Sequence, residues 1–334
     1  MIHLLSQLKR RLKEFSLNTK NNHRETSTQQ INKITYVKGI RCTRFDLVIA
    51  EQPLQIRLYY YLPSTNNSNN PNSPHNAVLE SRVFSITMRT PGHDKQLIIG
   101  LLLSEGVIKN IKDIDEISIE HNVHSANQQS DDKKKHSSLT QQDNLWEVKL
   151  NKNITVNIDT IDRYQLTYSS CGLCGTTSLK SLELKSPPCS PQNKAWLDAN
   201  ILGNWPDIMR EQQEYFHNTG GSHGAALFDQ TGNLLDIKED IGRHNAVDKL
   251  IGELIMNNSP SSLKTSDQNL ALVISSRVSF EIVQKTIMAG IGVLIAVGAV
   301  SNLAILAAKR FDLTLIGFTT SNSFNLYHGE WRLK

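Results

Sequence analysis

The sequence predicts an α/β fold. A layered, helix-covered sheet fills the second half of the chain, and a smaller strand-rich α+β unit precedes it. Three observations carry this. From residue 270 onward, short near-continuous apolar runs alternate with helical patterns of about ten residues, as strands buried on both faces require. Before residue 165, apolar residues alternate singly, as in Leu54, Ile56, Leu58 and Tyr60, the mark of half-buried strands. The length of 334 residues suits about two domains at roughly 100–200 residues each.

Taken in order, residues 1–33 read as a basic N-terminal extension. Ile2, Leu5, Leu8, Leu12 and Phe15 recur at near-helical spacing beside Lys9, Arg10, Arg11 and Lys13. No small-residue cleavage site follows, so no secretory signal is expected. The first domain covers 34–165. It holds strands at 54–60, 84–90, 145–150 and 154–158, the last two expected as a pair. Asp94 is expected to cap a helix over 95–104 that ends at Gly106. Polar, Asn- and Gln-rich insertions interrupt it near 64–76 and 120–144; neither buries enough apolar surface to order itself. The second domain covers 166–334, with a third polar insertion near 257–269. Helices are expected over 175–184 and 207–217. Asp229-Gln-Thr-Gly232 marks a hairpin between 224–228 and 234–238. Then follow helix 244–256, strand 270–274, helix 279–289, strand 293–297, helix 301–309 and strand 313–318. The uncharged stretch between Lys285 and Lys309 imitates a membrane span. Gly290, Gly292, Gly298 and Ser301-Asn302 instead divide it into helix end, strand, turn and new helix.

Composition excludes several classes. Apolar residues at 39% and charged residues at 20% fit an ordered protein, and no fixed repeat appears. The net charge of +4 is too small to argue for nucleic acid, and basic residues are not interleaved with aromatics. Four cysteines, Cys42, Cys171, Cys174 and Cys189, are too few for a disulfide scaffold. Walker, dinucleotide and nucleophile-elbow motifs are missing.

The chemistry-bearing residues fall into five clusters. Ser169-Ser-Cys171-Gly-Leu-Cys174-Gly175 sets two thiols three apart before a helix, whose N-terminus favours thiolate. A dithiol switch, a zinc site completed by His223, His244 or Cys189, and a persulfide carrier all fit. Spacing does not choose among them. Thr219-Gly-Gly-Ser-His223-Gly224 allows close backbone approach of a ligand. Glu239-Asp-Ile-Gly-Arg243-His244-Asn245-Ala-Val-Asp-Lys249 joins a strand to a helix N-terminus, a natural anion site. A purely structural account of it pairs Asp240 with Arg243. Ser275-Ser-Arg277-Val-Ser279-Phe-Glu281 repeats that setting, and 317–327 is a polar loop after the last strand. In an α/β sheet such junctions at the carboxyl ends of strands face the ligand.

Together these segments resemble the formate dehydrogenase accessory sulfurtransferase family, FdhD. The resemblance rests on MRTPGHDKQLIIGLLLSEG (88–106), SSCGLCG (169–175), TGGSHGAALFD (219–229), EDIGRHNAVDKLIG (239–252), SSRVSFEIVQKTIMAGI (275–291) and LTLIGFTTSNSFNLY (313–327). It implies a three-layer, cytidine-deaminase-like C-terminal domain, a smaller N-terminal domain, a homodimer and a cytoplasmic protein. It implies a sulfurtransferase that accepts sulfur from a cysteine desulfurase as a cysteine persulfide. The sulfur then passes to the molybdenum or tungsten bis(molybdopterin guanine dinucleotide) cofactor destined for formate dehydrogenase. Cys171 matches the persulfide-bearing cysteine and Cys174 its auxiliary partner. Phe318, Thr319, Thr320, Ser321, Asn322 and Ser323 match the cofactor-contacting stretch. From the residues themselves, His223, Arg243, His244 and Arg277 are expected to hold or polarise the anionic cofactor. No intrinsic metal, nucleic acid or membrane span is expected. The rival reading is a non-catalytic chaperone that docks the cofactor. A zinc deaminase lacks its His/Cys-x-Glu and Pro-Cys-x-x-Cys partners here. The chain departs from the family pattern at Ser276, Gly292 and Val300, and 318–323 lacks an arginine often found there.

Overall fold

A computed structural model describes residues 27–62, 78–119, 144–154, 175–188, 190–257 and 269–334. The expected N-terminal helix, most of the polar insertions with their histidines, residues 155–158, Cys171, Cys174 and Cys189 lie outside these segments.

The chain opens on a ribbon that local reading passed over. Strand β1 (Thr28–Val37) pairs antiparallel with β2 (Ile40–Ile49). Thus β1 begins inside the expected extension. Lys38 and Gly39 form the turn at φ 50° and 82°, the doubly positive geometry that matches strand twist in a two-residue hairpin. The alternation at 54–60 becomes β3 (Gln52–Leu62), with Leu54, Ile56, Leu58 and Tyr60 fully buried. β4 (Val78–Arg89) is longer than expected and pairs with β3.

Helix α1 (Asp94–Ser104) forms as predicted, but Asp94 does not cap it. His93 holds the cap position at φ 59°, and Asp94 is the first helical residue. Buried Arg89 grips Asp94 with two parallel bonds of 3.0 and 3.1 Å, the strong fork geometry. β5 (Ile114–Ile119) and β6 (Leu145–Leu150) complete a sheet ordered β4-β3-β6-β5. β3 and β5 occupy the two edges of β6; the strand expected over 154–158 lies, past residue 154, outside the described residues. Helix α2 (Gly175–Leu184) then starts at the residue after Cys174.

The expected helix over 207–217 is broken. After the short α3 (Ala199–Leu202) come α4 (Trp205–Glu211) and α5 (Glu214–Thr219). The break has a tertiary cause. The Glu239 carboxylate accepts from the backbone N–H of Tyr215 at 2.8 Å and Phe216 at 2.9 Å, capping a new helix from a distant strand. The hairpin strands are β7 (His223–Phe228) and β8 (Leu234–Asp240). Asp229 organises their loop by accepting from the backbone and side chains of Thr231 and Asn233. Burial would raise its pKa, but these bonds hold it at about 2.

Then follow α6 (Arg243–Asn257), β9 (Ala271–Ile274), α7 (Phe280–Met288), β10 (Val293–Ala296), α8 (Asn302–Arg310), β11 (Thr314–Thr320) and β12 (Ser323–His328). The loop expected over 317–327 is therefore largely a hairpin. The six strands run in the order β12-β11-β10-β9-β7-β8, with β9, β10 and β11 parallel at the centre.

Strand alternation splits the core into two layers. Leu272, Ile274, Leu294, Ala296 and Leu315 share one apolar cluster with α6, α7 and α8. Val273, Val293, Ile295 and Ile316 pack on the other face with Leu202, Trp205 and Met209 of α3 and α4. Helices on both faces of the sheet make three layers. The first cluster continues through α1 to the inner face of the four-stranded sheet, so the apolar core is continuous. Two glycines permit this. A Cβ on Gly100 would stand 1.9 Å from the carbonyl oxygen of Asp248, and one on Gly252 the same distance from that of Gln96. α1 and α6 therefore touch backbone to backbone.

Candidate functional site

Strand register gathers most of the predicted residues along one end of the six-stranded sheet. His223 opens β7 and lies opposite Asp240, which closes β8. Ser275, just past β9, accepts from Gly224 N through its hydroxyl at 2.9 Å and donates its own N–H to Gly224 O at 3.0 Å. Gly298 N, just past β10, donates to Ser276 O at 3.3 Å, and Phe318 N donates to Gly298 O at 3.1 Å. The line from His223 through Arg277 to Phe318 is thus tied together by backbone. A Cβ on Gly298 would be 2.9 Å from both Arg277 N and Ser276 O, so glycine is needed for this closeness.

Arg243 and His244 begin α6 at the same rim. Burial first, then Arg243, lowers the pKa of His223, with Asp240 opposing. His244 is pushed down to about 4 by burial, Lys285 and Arg243, against Glu281. Both rings are neutral near pH 7. They offer hydrogen bonds, in keeping with the donor role expected of His244. Its Nε2 lies 3.4 Å from Ser279 Oγ. Positive charge comes from Arg243, whose buried Nε has no partner, and from exposed Arg277. Sequence reading placed Glu281 at the end of its cluster without giving it a role, and missed Lys285. Glu281 feels burial that raises its pKa, but bonds from Ser279 and its own backbone, with His244 and Arg243 nearby, bring it lower.

The 318–323 stretch forms the β11–β12 tip. Phe318 holds φ at 54° and is 48% exposed, a strained left-handed setting for a bulky residue. Thr319 is buried, and its Oγ1 has no partner. Thr320 Oγ1 donates to Ser323 O and accepts from Ser323 N, each at 3.1 Å, which closes the turn through Ser321 and Asn322.

Other members of the motifs serve the fold. Asp240 pairs with Lys249 at 2.7 Å, not with Arg243, and both groups are fully buried. Asp240 also accepts from Thr90 N, Gly242 N and the Asn245 side chain. Asn245 donates to Met88 O at 2.7 Å and so faces β4 rather than a ligand. Asp248 pairs with Lys285 through contacts of 2.8 Å to each oxygen and accepts from Ser104. The dense run of polar residues after β8 is half anchor, half site.

The departures from the family pattern also find places. Ser276 is buried, and its hydroxyl donates to Arg277 O. Val300 packs on Gly317, where a Cβ would come within 2.6 Å of its methyl group. Gly292 sits against Pro191 and Arg332 at the opposite end of β10 from the rim. Among the described residues no group of three or more His, Cys, Asp or Glu is placed to hold a metal, and no helix is long and apolar enough to cross a membrane.

Comparison with known proteins matches residues 72–334 to the FdhD/NarQ family. The chain belongs to that family. A protein of Streptomyces coelicolor named sulfur carrier protein FdhD is 36% identical over 307 residues, covering 92% of this chain and 95% of the relative. A protein of Sulfurisphaera tokodaii with the same name is 36% identical over 288 residues, covering 86% and 92% respectively. The crystal structure of a protein described as a formate dehydrogenase accessory protein, from Desulfotalea psychrophila, superposes with a TM-score of 0.61. It covers 92% of this chain and 100% of its own at 18% identity, a likeness of fold. The α/β architecture is thus shared with that solved structure.

Proposed function

We propose that this chain is a sulfur carrier for formate dehydrogenase maturation. It takes sulfur as a persulfide on Cys171 and delivers it to a bis(molybdopterin guanine dinucleotide) cofactor held at the rim. The observation that carries the reading is the gathering of Arg243, Arg277 and the 318–323 tip on one edge, in a chain whose relatives are named sulfur carriers. The cofactor is the cargo and is polyanionic. The unpartnered Arg243 Nε and Thr319 Oγ1 suit its phosphate and polar edges. Neutral His223 and His244 add hydrogen bonds without further charge.

The transfer balances as follows. Thiolate at Cys171 attacks the outer sulfur of a cysteine desulfurase persulfide; the S–S bond to the donor breaks and the donor leaves as thiolate. Cys174 thiolate then attacks Cys171 sulfur. A Cys171–Cys174 disulfide forms, and the outer sulfur leaves as sulfide for the cofactor. The Cys-x-x-Cys motif precedes helix α2 (Gly175–Leu184) in the chain, and a helix N-terminus is a setting that favours thiolate. A reducing cytoplasm returns the disulfide to dithiol, and the chain acts there as a homodimer.

Incubation with desulfurase and cysteine, followed by mass spectrometry, is expected to show one added sulfur on Cys171. Cys171→Ala should carry none and should fail to restore formate dehydrogenase activity in a strain lacking the native protein. Full activity with Cys171→Ala would leave only the docking chaperone. Arg243→Ala is expected to weaken cofactor retention about tenfold or more, the worth of a charge-assisted bond, while Cys171 still loads.

A further inference from the structure

We propose that the β1–β2 ribbon is an exchange arm. It reaches to a second copy of this chain and packs on the exposed end of that copy's β3–β4 pair, while the second copy's arm does the same in return. The inference rests on the homodimer named above and not on the sulfur chemistry.

The arm is apolar on both faces. Register places Ile34, Tyr36 and Phe45 on one face and Ile31, Val37 and Ile40 on the other. All six are exposed, Phe45 to 74%. An isolated two-stranded ribbon is marginal in water, and so large an exposed apolar surface marks an interaction site.

The body of the chain carries a matching seat. Outside the ribbon, the main group of exposed apolar residues lies on β4, at Val78, Leu79, Ile86 and Met88. Ile86 stands opposite Gln55 and Met88 opposite exposed Pro53. Their face is turned away from the buried Leu54, Ile56 and Leu58. Exposed Glu51 precedes β3 at that end.

Charge favours the same pairing. Lys33, Lys38, Arg41 and Arg44 against Asp46 give the arm +3. Residues 50–334 hold 26 basic and 29 acidic residues, a net of −3. A basic arm on the body of another copy is therefore an attractive contact.

Arm and seat adjoin on one copy. Ser27, at the root, donates through Oγ to Pro91 O at 2.8 Å, three residues past Met88. The same hydroxyl accepts from Tyr215 at 2.9 Å, next to exposed Glu214. A two-fold axis at this root lets both arms engage at once, as a self-complementary interface requires. Each strand of the arm has 10 residues, so the arm is about 33 Å long and about 10 Å wide. One face of each arm and the seat beneath it remove about 1,300 Å² from water, enough for a stable interface.

The test uses the full-length chain, with the dimer dissociation constant read by light scattering and sedimentation over a dilution series. Phe45→Asp on the arm and Met88→Asp on the seat should each raise that constant about 100-fold. Each contact loses about tenfold, and symmetry counts it twice. Wild-type dissociation should rise with salt. Arg41→Glu with Arg44→Glu reverses the arm, and Glu51→Lys with Glu214→Lys reverses the seat. Each double variant should be a weak dimer alone. Their mixture restores opposite charges at both contacts and should associate about tenfold or more tighter than either. Circular dichroism should match the wild type in the arm variants, which alter only the exposed ribbon.

A wild-type monomer at micromolar concentration overturns both the arm and the homodimer. An unchanged dimer in Phe45→Asp, or no recovery on mixing, overturns the arm alone. So does an intact Phe45→Asp dimer that has lost binding to formate dehydrogenase or to anionic vesicles. Absence of persulfide on wild-type Cys171 would refute the sulfur-carrier reading, while the dilution series still judges the arm.

Discussion

Replacing Lys249 by methionine tests the claim that half of the motif after β8 is an anchor. Methionine keeps the apolar stem and removes the ammonium. Lys249 Nζ lies 2.7 Å from Asp240 Oδ2 and donates to Thr90 O at 2.8 Å, with both charged side chains fully buried. The variant leaves a buried carboxylate held only by the neutral donors of Thr90, Gly242 and Asn245. Breaking a buried pair from one side costs about 3–5 kcal/mol. The three remaining donors place this case near the lower end, about 3 kcal/mol. Domain stability is commonly about 5–15 kcal/mol, so the loss is a large fraction of it. In urea, with a slope of about 1–3 kcal/mol per molar, the unfolding midpoint should fall by about 1 M or more. Lys249→Met with Asp240→Asn should recover part of the loss, because the stranded charge is gone. A single variant as stable as the wild type, or a double variant that loses the sum of both singles, would refute the reasoning.

Three further outcomes are expected. Gly100→Ala forces α1 and α6 apart, since its Cβ would sit 1.9 Å from Asp248 O. Overpacking should lower stability by about 1–3 kcal/mol despite the better helix propensity of alanine, and an unchanged melting temperature counts against backbone contact. His244, ordinarily near 6.5, is held at about 4 when folded. Its depressed pKa means the unfolded chain binds the proton first, so its contribution is complete above pH 6.5 and is lost as pH falls toward 4. The loss is at most about 3 kcal/mol, and His244→Gln should flatten that stretch of the stability–pH curve; an identical curve argues against burial of the ring. Phe318→Gly removes a left-handed strain of about 1 kcal/mol. It should leave thermal stability equal or higher while weakening cofactor retention, and a lower melting temperature would show that the side chain supports the fold.

Much of the fold was legible locally. The alternation at Leu54, Ile56, Leu58 and Tyr60 and the apolar runs at β9, β10 and β11 gave strands because burial periodicity is written into the chain. Ser301, where the expected helix 301–309 starts, caps α8 by accepting from Ala304 N. The failures share a cause. The break between α4 and α5 depends on the Glu239 carboxylate, and the seat of β6 between β3 and β5 joins strands far apart in sequence. Both are long-range contacts with no local signature. The ribbon was missed despite Lys38-Gly39, since apolar residues fall on both of its faces, Ile34, Tyr36 and Phe45 on one and Ile31, Val37 and Ile40 on the other, and all are exposed, so no single buried face is written into the pattern.

The sequence by itself determined the α/β order of elements, the family, and the residue types at the rim. Those follow from periodicity and from motifs that stay together along the chain. Tertiary structure alone decided which polar residues of one motif turn inward. Asp240 and Lys249 neutralise each other in the core, while Arg243, three residues past Asp240, keeps a free buried Nε at the rim. The physical reason is that a buried charge must find a partner across space, and only the packing of α1, α6 and β4 fixes where that partner stands.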